Sequence, residues 1–313
     1  MDRRGRRVCW AMATETAAPA GTCLLAGCGY TGARLARRLL GQRPVLALVR
    51  SAASAAALAA EGIGARAVDL DGDGGFTAPL DLASVVYLAP PPGEGEGDPR
   101  FQRFLAGLGE VRPQVLVYLS TTGVYGDAQG ASVDEVTPPM PGDAQGRRRL
   151  AAERAGAAWC AERGVRWVAL RVAGIYGPHR LPLERLKAGE PVLRPEDSGP
   201  GNRIQVDDLV AACQAALDRP LSGPVNVTDG DPSSIGAFLE LAARLAGLPP
   251  PRRVTLAEAR QAISPGMLAF LLASRRVLNR RLTEDLGVRL RYPDPEAGVL
   301  ASLAEMGIST AGR

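Results

Sequence analysis

Thr22-Cys23-Leu24-Leu25-Ala26-Gly27-Cys28-Gly29-Tyr30-Thr31-Gly32 is the stretch on which the fold turns. Residues 22–26 are apolar enough for a short buried strand. The next six read GxGxxG, and Leu35, Leu39 and Leu40 then recur at helical spacing until Gly41. The chain holds 37 glycines, so the pattern alone is weak and its position must decide. A strand feeding a glycine loop that opens a helix is what a dinucleotide pyrophosphate needs. Gly27 permits the tight turn, Gly29 lets the backbone approach phosphate, and Gly32 lets the helix pack on the strand. The helix start then offers Tyr30, Thr31 and their neighbours as free N–H donors with a partial positive charge.

Outward from this loop, short apolar runs alternate with helical patterns. Strands are expected at Val45–Val49, Ala65–Val68, Ser84–Ala89, Val115–Ser120 and Val165–Arg171. Helices are expected at Ser54–Ala60, Phe101–Leu108 and Arg147–Arg163. The alternation predicts an α/β fold, a doubly wound parallel Rossmann sheet over residues 22–172. A smaller C-terminal substrate lobe is expected over 173–313, where Pro breaks and short helices (Asp208–Leu217, Ile235–Leu245, Leu256–Ile263) replace the alternation. Segments from about 204–228 are expected to return to the sheet. Thr121–Pro141 reads as a long Gly/Pro loop, a length usually tied to function. Residues 1–21 read as a poorly ordered tail, with Met12 as an alternative start.

The second strand ends Leu48-Val49-Arg50-Ser51. An acid there would hold a ribose 2′-hydroxyl. An arginine and a hydroxyl suit a 2′-phosphate, so NADP is expected over NAD as the cofactor, with NAD as the alternative.

Composition narrows the partners. Four arginines against one aspartate in residues 1–11 carry three of the four net positive charges, so the body is nearly neutral. Aromatics make up only 4%, and basic and acidic residues alternate, so nucleic acid is not expected. No apolar run approaches the roughly 18 residues of a membrane helix. The five cysteines (Cys9, Cys23, Cys28, Cys160 and Cys213) form no CxxC pair, and there is one histidine. Neither a disulfide framework nor a metal site is expected, and the reducing cytoplasm fits. The partner expected is a small-molecule substrate.

Several strings appear in a fixed order: Leu25–Gly32, Val68-Asp69-Leu70, Tyr87-Leu88-Ala89-Pro90, Tyr118–Gly126, Leu170–Pro178, Arg203–Asp208, Arg276–Asn279 and Leu290–Pro293. Together they resemble the extended short-chain dehydrogenase/reductases, or NAD-dependent epimerase/dehydratases, and more narrowly the YeeZ-like branch. The resemblance implies that Asp69 and Leu70 border the adenine and that Ala89 and Pro90 line the cofactor cleft. Thr121 would be the catalytic Ser/Thr, with Thr122 beside it toward substrate. Gly174 and Ile175 would lie near the nicotinamide, and Arg203 would contact substrate. It also implies a homodimer.

The chain departs from the family at the usual acid–base pair. A Tyr and a Lys four residues apart are implied at the start of the helix after the long loop. Aligning on Leu150-Ala151-Ala152-Glu153 puts Gln145 and Arg149 there, and no tyrosine occurs between Tyr125 and Tyr176. Gln has no proton to exchange at working pH, whereas Arg149 keeps a charge that can hold the ribose. The substitutes are Tyr125, at the C-terminal end of its strand, and His179, beyond the nicotinamide strand. Each also reads as an ordinary loop residue. Cys28 reads as a small filler. Asp134-Glu135 is expected to structure the long loop, Asp207-Asp208 to cap the helix that follows, and Arg147-Arg148 to face solvent.

Three functions remain open on sequence. The first is an NADP-dependent oxidoreductase of a small carbonyl or imine substrate. The second is a binding protein that kept the cofactor without turnover. The third is a sugar-nucleotide epimerase/dehydratase, which needs the absent Tyr most directly.

Overall fold

The computed structural model describes residues 21–72, 76–262 and 274–309. Residues 1–20 of the expected N-terminal tail, Cys9 among them, lie outside the described residues. The first half runs β1 (Thr22–Ala26), α1 (Tyr30–Leu39), β2 (Val45–Val49), α2 (Ala52–Ala60), β3 (Gly64–Ala67) and β4 (Leu82–Tyr87). It continues with α3 (Pro99–Gly107), β5 (Val115–Thr121), β6 (Ser132–Val133), α4 (Ala144–Arg163) and β7 (Arg166–Val172). The second half holds β8 (Gly174–Tyr176), α5 (Leu183–Lys187), β9 (Val192–Leu193), β10 (Arg203–Gln205), α6 (Val206–Asp218) and β11 (Gly223–Val227). Beyond them come α7 (Ile235–Leu245), β12 (Arg253–Val254), α8 (Leu256–Ala262), β13 (Arg276–Val277) and α9 (Pro295–Glu305).

Seven strands pair in parallel in the order β11-β7-β5-β4-β1-β2-β3. The chain moves one way from β1 through β3, then returns to the other side of β1 with β4. That reversal is the switch point where ligands bind in such sheets. The inner strands are buried on both faces, whereas edge strand β3 is largely exposed, and alternate residues divide between two cores. Cys23, Leu25, Val117 and Leu170 pack with Leu35 and Leu39 of α1 and Leu209 of α6. Leu24, Ala26, Tyr87 and Tyr118 pack with Phe101 and Phe104 of α3 and Ala152 and Cys160 of α4. The few aromatics concentrate on this second face. A Cβ on Gly156 would sit 2.3 Å from the Trp167 ring, so glycine is what lets α4 lie on it. Leu239, Ala242 and Val299 of α7 and α9 anchor a separate core with Tyr176 and Leu183.

Two expectations fail here, both because they rested on residue type. The cap of α6 is Gln205, whose side chain accepts from the Asp207 amide; the Asp207-Asp208 pair is already inside the helix. Asp208 instead accepts the Arg291 and Tyr292 amides at 2.7 and 2.9 Å, and Asp207 pairs with Arg34. Arg148 is also not on a solvated face: it is buried and donates to the Gly95 carbonyl at 3.0 Å. No helix among the described residues is long and apolar enough to cross a membrane.

Candidate dinucleotide site

The glycine loop joins β1 to α1 at the switch point. Gly27 has φ +84°, and a Cβ there would lie 2.5 Å from the Ala89 nitrogen, so the ends of β1 and β4 touch across a residue that must be glycine. Gly29 is different. It is exposed, its φ is −90°, and a Cβ would meet nothing within 4 Å. That open space lies in front of the α1 N-terminus, where a pyrophosphate would rest. The Cys28 thiol beside it is buried, which pushes its pKa up to about 11, so it acts as a filler and not a nucleophile.

From this loop a cleft of about 430 Å³ runs past Leu48, Val49, Arg50, Ser51, Ser54, Val68, Asp69, Leu70, Ala89 and Pro90. Ser51 caps α2 by accepting from the Ser54 amide at 3.2 Å, and the two hydroxyls are 2.9 Å apart. Arg50 is exposed on the same wall. Asp69 is exposed and accepts the Asp71 amide at 3.0 Å. The sequence reading missed Arg100. Its guanidinium grips both oxygens of Asp71 at 2.5 Å and donates to the Pro90 carbonyl at 2.9 Å, joining the two lips of the cleft. That bond holds the Asp71 carboxyl below its usual range.

Beyond Ala89, outside the lining of this cleft, β5 and α4 bring the remaining candidates together. Thr121 closes β5, and its Oγ1 accepts the Gly123 amide at 3.1 Å as a tight 3-10 turn begins; Thr122 is buried in that turn. A Cβ on Gly146 would lie 2.9 Å from the Gly123 carbonyl, so the first turn of α4 packs directly on this turn. Gln145 is exposed in that first turn. One turn on, Arg149 donates through Nη1 to the Leu119 carbonyl at 2.7 Å, the Tyr118 phenol at 3.2 Å and the Ala89 carbonyl at 3.5 Å. The structure therefore brings Arg149, Ala89 and the end of β5 together.

Other candidates are placed elsewhere. Tyr125 is 4% exposed; its phenol donates to Asn226 Oδ1 at 2.8 Å and accepts from Arg171 at 2.9 Å. Burial pushes that phenol up, so its proton is committed to a sealed network and is not offered to the cleft. His179 is exposed with φ +60° and borders a second depression of about 470 Å³ that shares Cys28, Gly29 and Ser54 with the cleft and is not lined by Thr121. Tyr30 turns the same way, donating to the Pro178 carbonyl at 2.8 Å with Arg180 over its ring at 4.5 Å. Thr31 is buried in the helix start. Gly174 is exposed on β8, and Ile175 packs against the first core. Arg203 is 5% exposed, with Nη1 on Asp231 at 2.9 Å and Ser233 at 2.7 Å, and Nη2 on the Ser233 carbonyl. Both of its Nη groups thus have protein partners.

Beside Arg203, Asp229 is 4% exposed, one of its oxygens has no partner, and burial lifts its carboxyl to about 7. The folded chain thus holds that proton more tightly than the unfolded chain, so stability is lost as pH rises from about 4 through 7. In Asp229→Asn this slope is expected to flatten, leaving the variant more stable than the parent at pH 8 and equal to it near pH 4. Urea unfolding at both pH values measures this, and parallel profiles would refute it.

Comparison with known proteins agrees with this geometry. Residues 102–228 match the NAD dependent epimerase/dehydratase family. Protein YeeZ of Escherichia coli (strain K12) is 29% identical over 222 residues, 69% of this chain and 74% of that protein. A 3-diazoavenalumate denitrifying reductase of Streptomyces sp is 30% identical over 136 residues, 42% of this chain and 45% of that enzyme. A functionally unknown conserved protein from Silicibacter pomeroyi DSS superposes with a TM-score of 0.80 at 33% identity, over 91% of this chain and 99% of that one. The chain belongs to the NAD-dependent epimerase/dehydratase family.

Proposed function

We propose that this protein is an NADP-dependent oxidoreductase of a small carbonyl- or imine-type substrate. The observation that carries the cofactor reading is the cleft wall of Arg50, Ser51 and Ser54 at the start of α2, with no carboxylate at the end of β2. An arginine, two hydroxyls and a helix N-terminus suit a 2′-phosphate. The open space at Gly29 fits the pyrophosphate, and Arg149 fits the ribose at the nicotinamide end. When bound, the reduced cofactor supplies a hydride. The chain contributes the Thr121 hydroxyl at the end of β5, which can hold a substrate oxygen or nitrogen. Because Tyr125 is sealed away, a substrate that arrives already protonated, such as an iminium, suits this end best. The reductase among the relatives supports reduction as the chemistry.

Two measurements test the proposal together. NADPH is expected to bind at least about tenfold tighter than NADH, and Arg50→Ala should erase that difference by weakening NADPH alone. A carbonyl and imine panel should then show NADPH oxidation that falls in Thr121→Ala. Equal affinity for both cofactors would refute the 2′-phosphate reading. Tight binding with no turnover on any panel member would favour a second reading, a cofactor-binding protein without catalysis. The observation behind that reading is the first turn of α4, which presents Gln145 and no ionisable proton donor.

A further inference from the structure

Between the start of α3 and the first turns of α4 lie three polar side chains, Asp98, Tyr118 and Arg149. Asp98 is 2% exposed and caps α3 by accepting the Phe101 amide at 3.0 Å. Its second oxygen is sealed from solvent and has no hydrogen-bond partner in the structure, in the electrostatic neighbourhood of Tyr118 and Arg149. Tyr118 is itself 0% exposed, and its oxygen accepts from Arg149 at 3.2 Å. The guanidinium lies 5.6 Å over the same ring. Tyr87 stacks on Tyr118 at 5.8 Å, and Phe101 and Trp167 close on it at 4.8 and 5.9 Å, so the ring has no room to turn.

The chemistry of the phenol sets the direction of its hydrogen bonds. An oxygen that accepts from Arg149 still has its own hydrogen to place, and the unpartnered Asp98 oxygen is a buried acceptor that could take it. Burial pushes the Asp98 carboxyl up, while the Phe101 amide and the Arg149 charge pull it back. Desolvating a carboxylate, a phenol and a guanidinium is costly, and well-packed apolar side chains would fill the same volume more stably. What such an arrangement does supply is orientation of the group at its open end. That group is Arg149, which also reaches the carbonyls that end β4 and β5.

We propose that Asp98 and Tyr118 are positioning residues that hold the Arg149 guanidinium as a fixed cation against the ribose–nicotinamide half of the cofactor. The proposal rests on the dinucleotide reading above. It assigns a binding role to two residues that never touch the ligand, one of them outside every motif of the sequence.

The test is a double-mutant cycle on NADPH affinity in the full chain, read by nicotinamide fluorescence. Arg149→Ala should weaken NADPH about tenfold or more, as expected for a lost charged hydrogen bond. Tyr118→Phe should weaken it severalfold with little change in the unfolding midpoint of the free protein. The double variant should bind no more weakly than Arg149→Ala alone, because the phenol acts only through the guanidinium. Asp98→Asn keeps the α3 cap and should also weaken binding, again without effect once Arg149 is gone. It provides the same cycle if Tyr118→Phe does not fold. Additive effects, or full affinity in Tyr118→Phe or Asp98→Asn, would overturn the positioning role and leave the cofactor assignment standing. Failure of the unmodified chain to bind either NADPH or NADH would overturn the cofactor assignment, and this inference with it.

Discussion

With aspartate in place of Gly29, the chain is expected to fold normally and to lose NADPH binding. The position has room for a side chain: its φ of −90° lies outside the left-handed region, and a Cβ would meet nothing within 4 Å. What it does not tolerate is a second negative charge where the pyrophosphate rests. Two like charges about 4 Å apart at an effective dielectric near 20 repel by roughly 4 kcal/mol, about a thousandfold in affinity. Fluorescence titration reports the binding, and far-UV circular dichroism with a urea midpoint reports the fold. Binding retained within tenfold would mean that the phosphates do not lie over α1. Gly27→Ala is the contrasting control. Its φ of +84° and its 2.5 Å approach to Ala89 predict that fold and binding fail together.

Glu153→Ala is expected to remove about 3–5 kcal/mol of stability, the cost of leaving a buried charge without its partner. Glu153 and Arg171 meet at 2.9 Å with side chains only 8% and 6% exposed. Ser120 also donates to Glu153, and Arg171 continues to Tyr125 and thence Asn226, so one network ties α4 to β5, β7 and β11. Alanine at 153 strands the guanidinium in a place that water does not reach. Glu153→Gln should cost less, because it still accepts hydrogen bonds. The urea midpoint and slope measure both, and an unchanged midpoint in Glu153→Ala would show that the network carries no net stability.

The cofactor half of the fold was legible because its signals are local. The strand, glycine loop and helix of residues 22–39 follow one another directly, and the runs that become β2, β4, β5 and β7 are continuous. β2 keeps its expected bounds and the others shift by one to three residues, as does α4, which begins at Ala144 rather than Arg147. What stayed hidden depends on partners distant in sequence. Arg100 looks like any surface arginine until Asp71 and Pro90 come to meet it. Arg203 and Tyr125 have the right types for a site, but type does not show that Asp231, Asn226 and Arg171 already claim them. The long loop conceals β6, whose two residues carry no strand pattern and exist only because β13 pairs with them.

That last pairing has a consequence for the order in which the protein takes shape as it is made. Every strand of the seven-stranded sheet has left the ribosome once Val227 has emerged. The loop after Thr121 must still wait for Arg276 and Val277 to align with Ser132 and Val133, and for Asn202 to bridge to Arg275 and Val277. A growing chain therefore gains the walls of its nucleotide cleft well before the loop beyond β5 is fastened. A polypeptide that stops short of Arg276 would keep the first and lack the second.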